Sequence, residues 1–323
     1  MSRQSPKPVP ARNRAVDAGA VRDAAAALRG VAVRTPLLYV EALGVHLKLE
    51  NLQPMGAFKI RGAYNAIRKL PAAARSHGVI TYSSGNHGQA VAYAARYVGI
   101  RAVVVMPETA PAVKVAGVRR WGGEVVLAGR TSEDRQVKAE QIAAQEGLAV
   151  VAPYDDAEIV AGQATTALEI VEQLPEVATV VVPVGGGGLI AGVLAGLAAA
   201  QSRAVVWGVE PAGAPKLHRS LAAGRRTRLE RTASIADGLI TLSVGDVPFA
   251  EITRHRDRLA GVGLVDDDSL REAMGFLWRA CRLAVEPSGA ATVAAVRSGA
   301  VQPAAPAVLI VSGGNIDPSL LQD

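Results

Sequence analysis

The chain has 323 residues, half of them hydrophobic and a fifth charged, with 35 basic against 29 acidic side chains for a net charge of +6. That balance suits a core-forming protein of one large or two modest domains, and no apolar run reaches the ~20 residues needed to cross a bilayer. The basic excess is scattered in short groups ("VRR" near 119, "GRRTR" at 224–228, "RHRDR" at 254–258) with only 4% aromatic residues, which argues against a base-stacking nucleic-acid surface.

In chain order, "MSRQSPKPVPARNRAVDAGA" lacks the apolar segment of a signal peptide. Residues 1–15 read as a flexible arm and the chain as cytoplasmic. "VHLKLENLQ" (45–53) is the first strand-like segment, and "ENLQPMGAFKIRGAYNAI" (50–67) runs from it into a helix start. There Lys59 stands between Phe58 and Ile60. An amine among apolar groups has its charged form penalised and moves toward the range useful for an imine or a base. A lysine whose stem lies along the surface reads equally well from this stretch alone.

The next segments alternate: strands at "GVIT" (78–81), "RAVVVM" (101–106), "EVVLA" (124–128) and "LAVVA" (148–152), with helices at about 86–98, 110–121 and 132–146. Strand–helix–strand repetition predicts parallel sheets with crossover helices. Within it, "TYSSGNHGQAVAYAA" (81–95) places two serines, an asparagine, a histidine and two glycines where a strand meets a helix. A capped turn needs one such residue; this many, with the open N–H groups of a helix start, suit a carboxylate. Between about 152 and 178 the strand rhythm gives way to helix, which marks a crossing between two domains. Residues 16–70 and 153–323 then form a large domain, and 75–152 a small mobile one.

Strands resume at "TVVVPV" (179–184), "AVVWGVE" (204–210) and "AVLIVSGG" (307–314). "VVPVGGGGLIAG" (181–192) carries a glycine loop into a helix start, an anion-binding device. The register Gly186-Gly187-Gly188-Leu189-Ile190-Ala191 also matches the dinucleotide fingerprint, with Glu210 near the expected ribose position, so on this stretch NAD and a single phosphate both remain open. Cys281, the single cysteine, excludes an internal disulfide and a thiolate cluster, and in "WRACRLAV" it reads as a buried helix residue. The five histidines have no metal-ligand spacing. "VSGGNID" (311–317) ends a strand where open α/β sheets bind ligands.

Taken together, "GAFKIRGA", "SSGNHGQA", "VVPVGGGGLIAG", "SIADGL" (234–239), "AVEPSGA" (284–290) and "VSGGN" occur in an order that resembles the fold-type II pyridoxal-phosphate enzymes, in particular the threonine/serine dehydratase and serine racemase group. The resemblance covers the chain from about residue 20 onward and implies an α/β fold of two open, mostly parallel twisted-sheet domains with helices on both faces. It implies pyridoxal 5'-phosphate as cofactor, an amino acid as substrate, a homodimer or homotetramer, and no nucleic-acid or membrane partner. Residue by residue, Lys59 carries the cofactor as a Schiff base and acts as base on Cα. Phe58 packs beside the ring, Asn86 meets its 3′-oxygen and Ser312 its pyridine nitrogen. Gly185, Gly186, Gly187 and Gly188, continued by Leu189, hold the phosphate. Ser83, Ser84, Asn86 and His87 receive the substrate carboxylate, Gly238 borders the substrate, and Ser84 matches the acid/base of racemases.

The resemblance implies β-elimination of water from L-threonine or L-serine, with serine racemisation or dehydration of 3-hydroxyaspartate as alternatives. A non-catalytic relative would have lost Lys59 or Ser312, and both are present. The chain continues only eight residues past Asn315, so feedback by isoleucine through a C-terminal regulatory domain is not expected. Some members of the group bind a divalent cation through a glutamate, a carbonyl and an aspartate. Here Glu210 and Ala214 match the first two, but Lys216 stands at the third. A protonated amine cannot ligate a cation, so the expectation is no metal, with Lys216 paired to Glu210 instead.

Overall fold

Strands such as "TVVVP" and "AVLIV" are apolar at every position, which requires a sheet covered on both faces. The computed structural model, which describes residues 14–83, 85–129 and 131–316, shows how this is met. Ser84 and residues 1–13 of the expected arm lie outside the described residues. In chain order the elements are α1 (Ala18–Ala27), β1 (Leu37–Val40), β2 (Val45–Leu49), α2 (Ile60–Lys69), α3 (Ala72–Arg75), β3 (Val79–Tyr82), α4 (Asn86–Tyr97), β4 (Ala102–Met106), α5 (Ala112–Arg120), β5 (Glu124–Leu127), α6 (Ser132–Glu146) and β6 (Ala149–Val150). There follow α7 (Ala157–Gln173), β7 (Thr179–Pro183), α8 (Gly188–Ala199), β8 (Val205–Pro211), α9 (Lys216–Ala222), α10 (Asp246–Arg254), β9 (Leu259–Val265), α11 (Asp267–Cys281), α12 (Pro287–Arg297) and β10 (Ala307–Val311).

Two sheets result. One has the order β1-β2-β10-β7-β8-β9, parallel except for the antiparallel β1–β2 pair; the other is β5-β4-β3-β6, parallel throughout. Alternate residues of a strand enter opposite cores. Val308 and Ile310 pack with α7 and α8, while Leu309 and Val311 pack with α11 and α12. In the four-stranded sheet Val79 faces α2 and α4, and Ile80 faces α6. The α/β expectation therefore holds, with helices on both faces.

Three local readings change. "VHLKLENLQ" stops being strand at Leu49, because Glu50–Leu52 forms a 3-10 turn that buries the Glu50 carboxylate. β9 was not expected, since "LAGVGLV" reads as glycine-broken. Gly261 is needed there because a Cβ would come within 2.7 Å of the Trp207 ring on the neighbouring strand. Cys281 ends α11 half-buried rather than buried. Among the described residues no helix is long and apolar enough to cross a membrane.

Helix α7 runs between α2 and α8, and glycines let the backbones touch. A Cβ on Gly162 would lie 2.3 Å from the Arg61 carbonyl oxygen, and one on Gly196 would lie 2.3 Å from that of Ala164. Beside this contact sits a buried set of two cations and two carboxylates. Arg61 donates Nε and Nη2 to Glu50 at 2.8 Å each, and Nη1 and Nη2 to Glu169 at 2.7 and 2.9 Å. Lys48 Nζ reaches Glu169 at 2.6 Å, Thr35 O at 2.7 Å and Gln173 Oε1 at 2.9 Å. Each charge is compensated, and the guanidinium fork satisfies both carboxylates at once.

Breaking one member of such a set strands a buried charge. Arg61→Met should cost about 3–5 kcal/mol in urea unfolding followed by circular dichroism. A loss below about 1 kcal/mol would place the network among weak surface pairs.

Candidate active site

The ends of β7, β10 and β3 supply the unusual turns. β7 ends at Pro183, and the loop enters α8 through Gly187, the N-cap, with φ +90°. A side chain has no room in this loop. A Cβ on Gly185 would lie 2.6 Å from the Gly238 carbonyl, on Gly186 2.3 Å from the Tyr154 ring, on Gly187 2.7 Å from Val244, and on Gly188 3.1 Å from Tyr154. Leu189 continues into the first turn with its side chain in the core. The loop is therefore backbone alone. The first-turn N–H groups of α8 have no intrahelical acceptor, and the helix dipole favours an anion there.

Lys59 precedes α2, and its Nζ donates to the Pro153 carbonyl at 2.9 Å. The amine lies 5.2 Å from the Phe58 ring centroid, and burial lowers its pKa to about 8. No carboxylate offsets that shift. Pro153 adjoins Tyr154, the residue lying over Gly186, so the amine and the glycine loop share one neighbouring segment. The other side closes through Ser312. Its carbonyl accepts from Phe58 N at 3.1 Å, and its hydroxyl lies 3.5 Å from the Ser288 carbonyl. Ser288 Oγ in turn accepts from Gly238 N at 3.0 Å, and Gly238 abuts Gly185.

The α4 turn faces this ring of contacts. Ser83 Oγ accepts from Gly85 N at 3.0 Å. Asn86 opens α4 with both ends of its amide engaged: Nδ2 donates to Glu286 Oε1 at 2.5 Å, and Oδ1 accepts from Asn315 Nδ2 at 2.8 Å. At His87 the ring and the backbone differ in what they can offer. Its ring is buried with Nε2 3.3 Å from the Val151 carbonyl, and burial, with the Lys59 charge adding to it, pushes its pKa down to about 3. A neutral ring whose Nδ1 has no hydrogen-bond partner presents a lone pair, not a cation, so it is the His87 backbone N–H that suits a carboxylate. Ser84, between Ser83 and Gly85, lies outside the described residues.

Several residues here escaped the sequence reading. Glu286 is buried, and burial together with the Asp237 carboxylate raises its pKa to about 7, with Lys114 and Asn86 opposing. Lys114, from α5, packs against Gly85 and pairs with Asp237. "SIADGL", "AVEPSGA" and "VSGGN" contained Asp237, Glu286 and Asn315 without marking their roles; Tyr154 and Lys114 had no local signal. Glu210 also corrects the dinucleotide option. It is fully buried, accepts from Leu217 N and His218 N at 2.9 Å each, and pairs with Lys216, so it has no face for a ribose. Among the described residues no three His, Cys, Asp or Glu side chains cluster as metal ligands.

The sequence model of the family described as "Pyridoxal-phosphate dependent enzyme" matches residues 28–313. An L-threonine ammonia-lyase of Thermotoga maritima is 38% identical over 307 residues, covering 93% of this chain and 76% of that protein. An L-threo-3-hydroxyaspartate ammonia-lyase of Saccharomyces cerevisiae is 36% identical over 306 residues, 93% of each. The structure of maize serine racemase is similar with a TM-score of 0.89 and 37% identity, over 95% of this chain and 96% of that one.

The amine chemistry of Lys59 is directly measurable. Capture of pyridoxal 5'-phosphate by the cofactor-free protein should rise about tenfold between pH 7 and 9 and then level off, following the neutral fraction of an amine with a pKa of about 8. Stopped-flow absorbance reads this; a rise of about a hundredfold without a plateau would mark an ordinary exposed lysine.

Proposed function

The chain belongs to the pyridoxal-phosphate dependent enzymes, and from that premise we propose that it is a threonine/serine ammonia-lyase, removing water from a 3-hydroxy amino acid and releasing a 2-oxo acid and ammonia. The residues present suit the cofactor: a loop in which any Cβ would collide, and a desolvated amine with no acidic partner. Gly185, Gly186, Gly187, Gly188 and the Leu189 N–H would hold the phosphate, Lys59 would carry the cofactor, and Phe58 would pack beside it. Asn86 would meet the 3′-oxygen and Ser312 the pyridine nitrogen. When bound, pyridoxal 5'-phosphate is the electron sink that weakens the bonds at the substrate Cα.

The protein's own part is binding and proton handling. Ser83, Gly85 and the first N–H groups of α4 offer donors to the substrate carboxylate. Lys59, neutral in useful amount near pH 8, would take the Cα proton and return it to the departing Cβ hydroxyl, which leaves as water. That water is regained in hydrolysis, so the net products are the 2-oxo acid and ammonium. Ser312 would meet the pyridine nitrogen with a neutral hydroxyl, which brings no carboxylate charge to that position.

The observation that carries the substrate class is the Lys114–Asp237 pair. Lys114 is the cation packed against Gly85, and Asp237 already balances it. Its charge is therefore not available to a second substrate carboxylate, which supports threonine or serine over 3-hydroxyaspartate.

Holoenzyme assayed with L-threonine and L-serine should release 2-oxobutyrate and pyruvate with equimolar ammonia, and at least about tenfold less product from L-threo-3-hydroxyaspartate. Faster D-serine formation than pyruvate release, or oxaloacetate as the main product, would overturn the assignment in favour of a racemase or a hydroxyaspartate lyase. Borohydride reduction followed by peptide mapping should place the pyridoxyl group on Lys59. Lys59→Ala should lower turnover by about a thousandfold or more.

A further inference from the structure

The glycine loop has a second anchor that the reaction leaves unused. Lys216 opens α9, and its side chain is fully buried. Nζ lies 2.8 Å from Leu239 O, 2.9 Å from Val184 O, 3.0 Å from Glu210 Oε1 and 3.1 Å from Ala214 O. All four partners are acceptors. A neutral amine would satisfy two of them and turn its lone pair toward the others; an ammonium satisfies all four by sharing one N–H. Burial depresses the lysine pKa, and the Glu210 carboxylate opposes that.

The four oxygens come from segments that border the site. Val184 immediately precedes Gly185, and Leu239 follows Gly238, whose carbonyl abuts Gly185. Glu210 is the penultimate residue of β8, at the same edge of the sheet, and caps the first turn of α9. One carboxylate and three carbonyls converging on a point form a donor set suited to a hard cation.

We propose that Lys216 is a covalently supplied cation, which fastens the glycine loop to the 237–239 turn and to β8 and makes the enzyme independent of divalent metal. The ammonium occupies the centre of the oxygen cage, compensates the Glu210 charge, and is present at every concentration of free ions. A divalent ion can enter only by displacing a buried, fully bonded ammonium. Lys216 is thus a positioning residue, acting on the cofactor through the backbone of the loop; its effect on cofactor affinity rests on the assignment of the phosphate to Gly185–Gly188.

The test uses the holoenzyme, with melting temperature, cofactor dissociation constant and bound metal as readouts. For the parent, EDTA followed by millimolar magnesium or calcium should shift the melting temperature by less than about 1 °C and leave cofactor affinity unchanged. Lys216→Met should weaken cofactor binding about tenfold or more, with no response to either ion. Lys216→Asp should show the same loss in EDTA and recover most of it with magnesium or calcium, a rescue that a mere packing role cannot give.

Stoichiometric metal in the parent, or its stabilisation by either ion, overturns the proposal, and so does Lys216→Met that melts and binds cofactor like the parent. A folded Lys216→Asp indifferent to both ions overturns the cation role. A lower melting temperature with unchanged cofactor affinity overturns the link to the phosphate loop, without touching the ammonia-lyase assay. If Lys216→Asp does not fold, the parent and Lys216→Met decide the question.

Discussion

The separation between the Lys59 amine and the glycine loop is set by how closely α7 lets α2 and α8 approach. Gly162 meets the Arg61 carbonyl and Gly196 that of Ala164, so a single added methyl at either contact would push the helices apart. Because Lys59 begins α2 and the loop begins α8, such a change would be felt as a misplaced amine or a misplaced phosphate site. Interiors pack at crystal density and transmit displacements of this kind instead of absorbing them. Arg61 then locks the arrangement, gripping Glu50 from the turn before α2 and Glu169 from α7.

Three buried cations and the half-buried Lys59 show how one fold places charge in two different settings. Lys48, Arg61 and Lys216 each have a carboxylate within hydrogen-bonding distance. Lys59 has a carbonyl and an aromatic ring. The first three have their charge compensated; the last is desolvated without compensation, which lowers its pKa to about 8. His87 follows the same logic with the opposite outcome. Burial next to Lys59 keeps it neutral, so it does not compete for the proton that Lys59 must handle.

The face of the site carries a different class of contact. Asn86–Glu286, Lys114–Asp237 and Glu133–Arg228 join residues of the 79–150 region to the segments around the larger sheet. Lys114–Asp237 and Glu133–Arg228 are partly exposed ion pairs of small net worth, whereas Asn86–Glu286 ends on a buried carboxyl.

The sequence determined the parallel α/β architecture, and it placed Lys59 and the glycine loop among the motifs that mark the pyridoxal-phosphate family. Each rests on a local property written into consecutive residues: alternating strand and helix periods, an amine among apolar neighbours, and a turn from which side chains are excluded. Tertiary structure decided the rest. Glu210 read locally as a ribose ligand, yet its carboxylate is buried against Lys216 and α9. The sequence did not say which group of His87 faces the site, and its ring turns to the Val151 carbonyl. Glu286 gave no local sign of meeting Asn86, 200 residues away. What a polar side chain does depends on its burial and on the partner brought to it, and both are properties of the folded chain, which no neighbouring residue in sequence encodes.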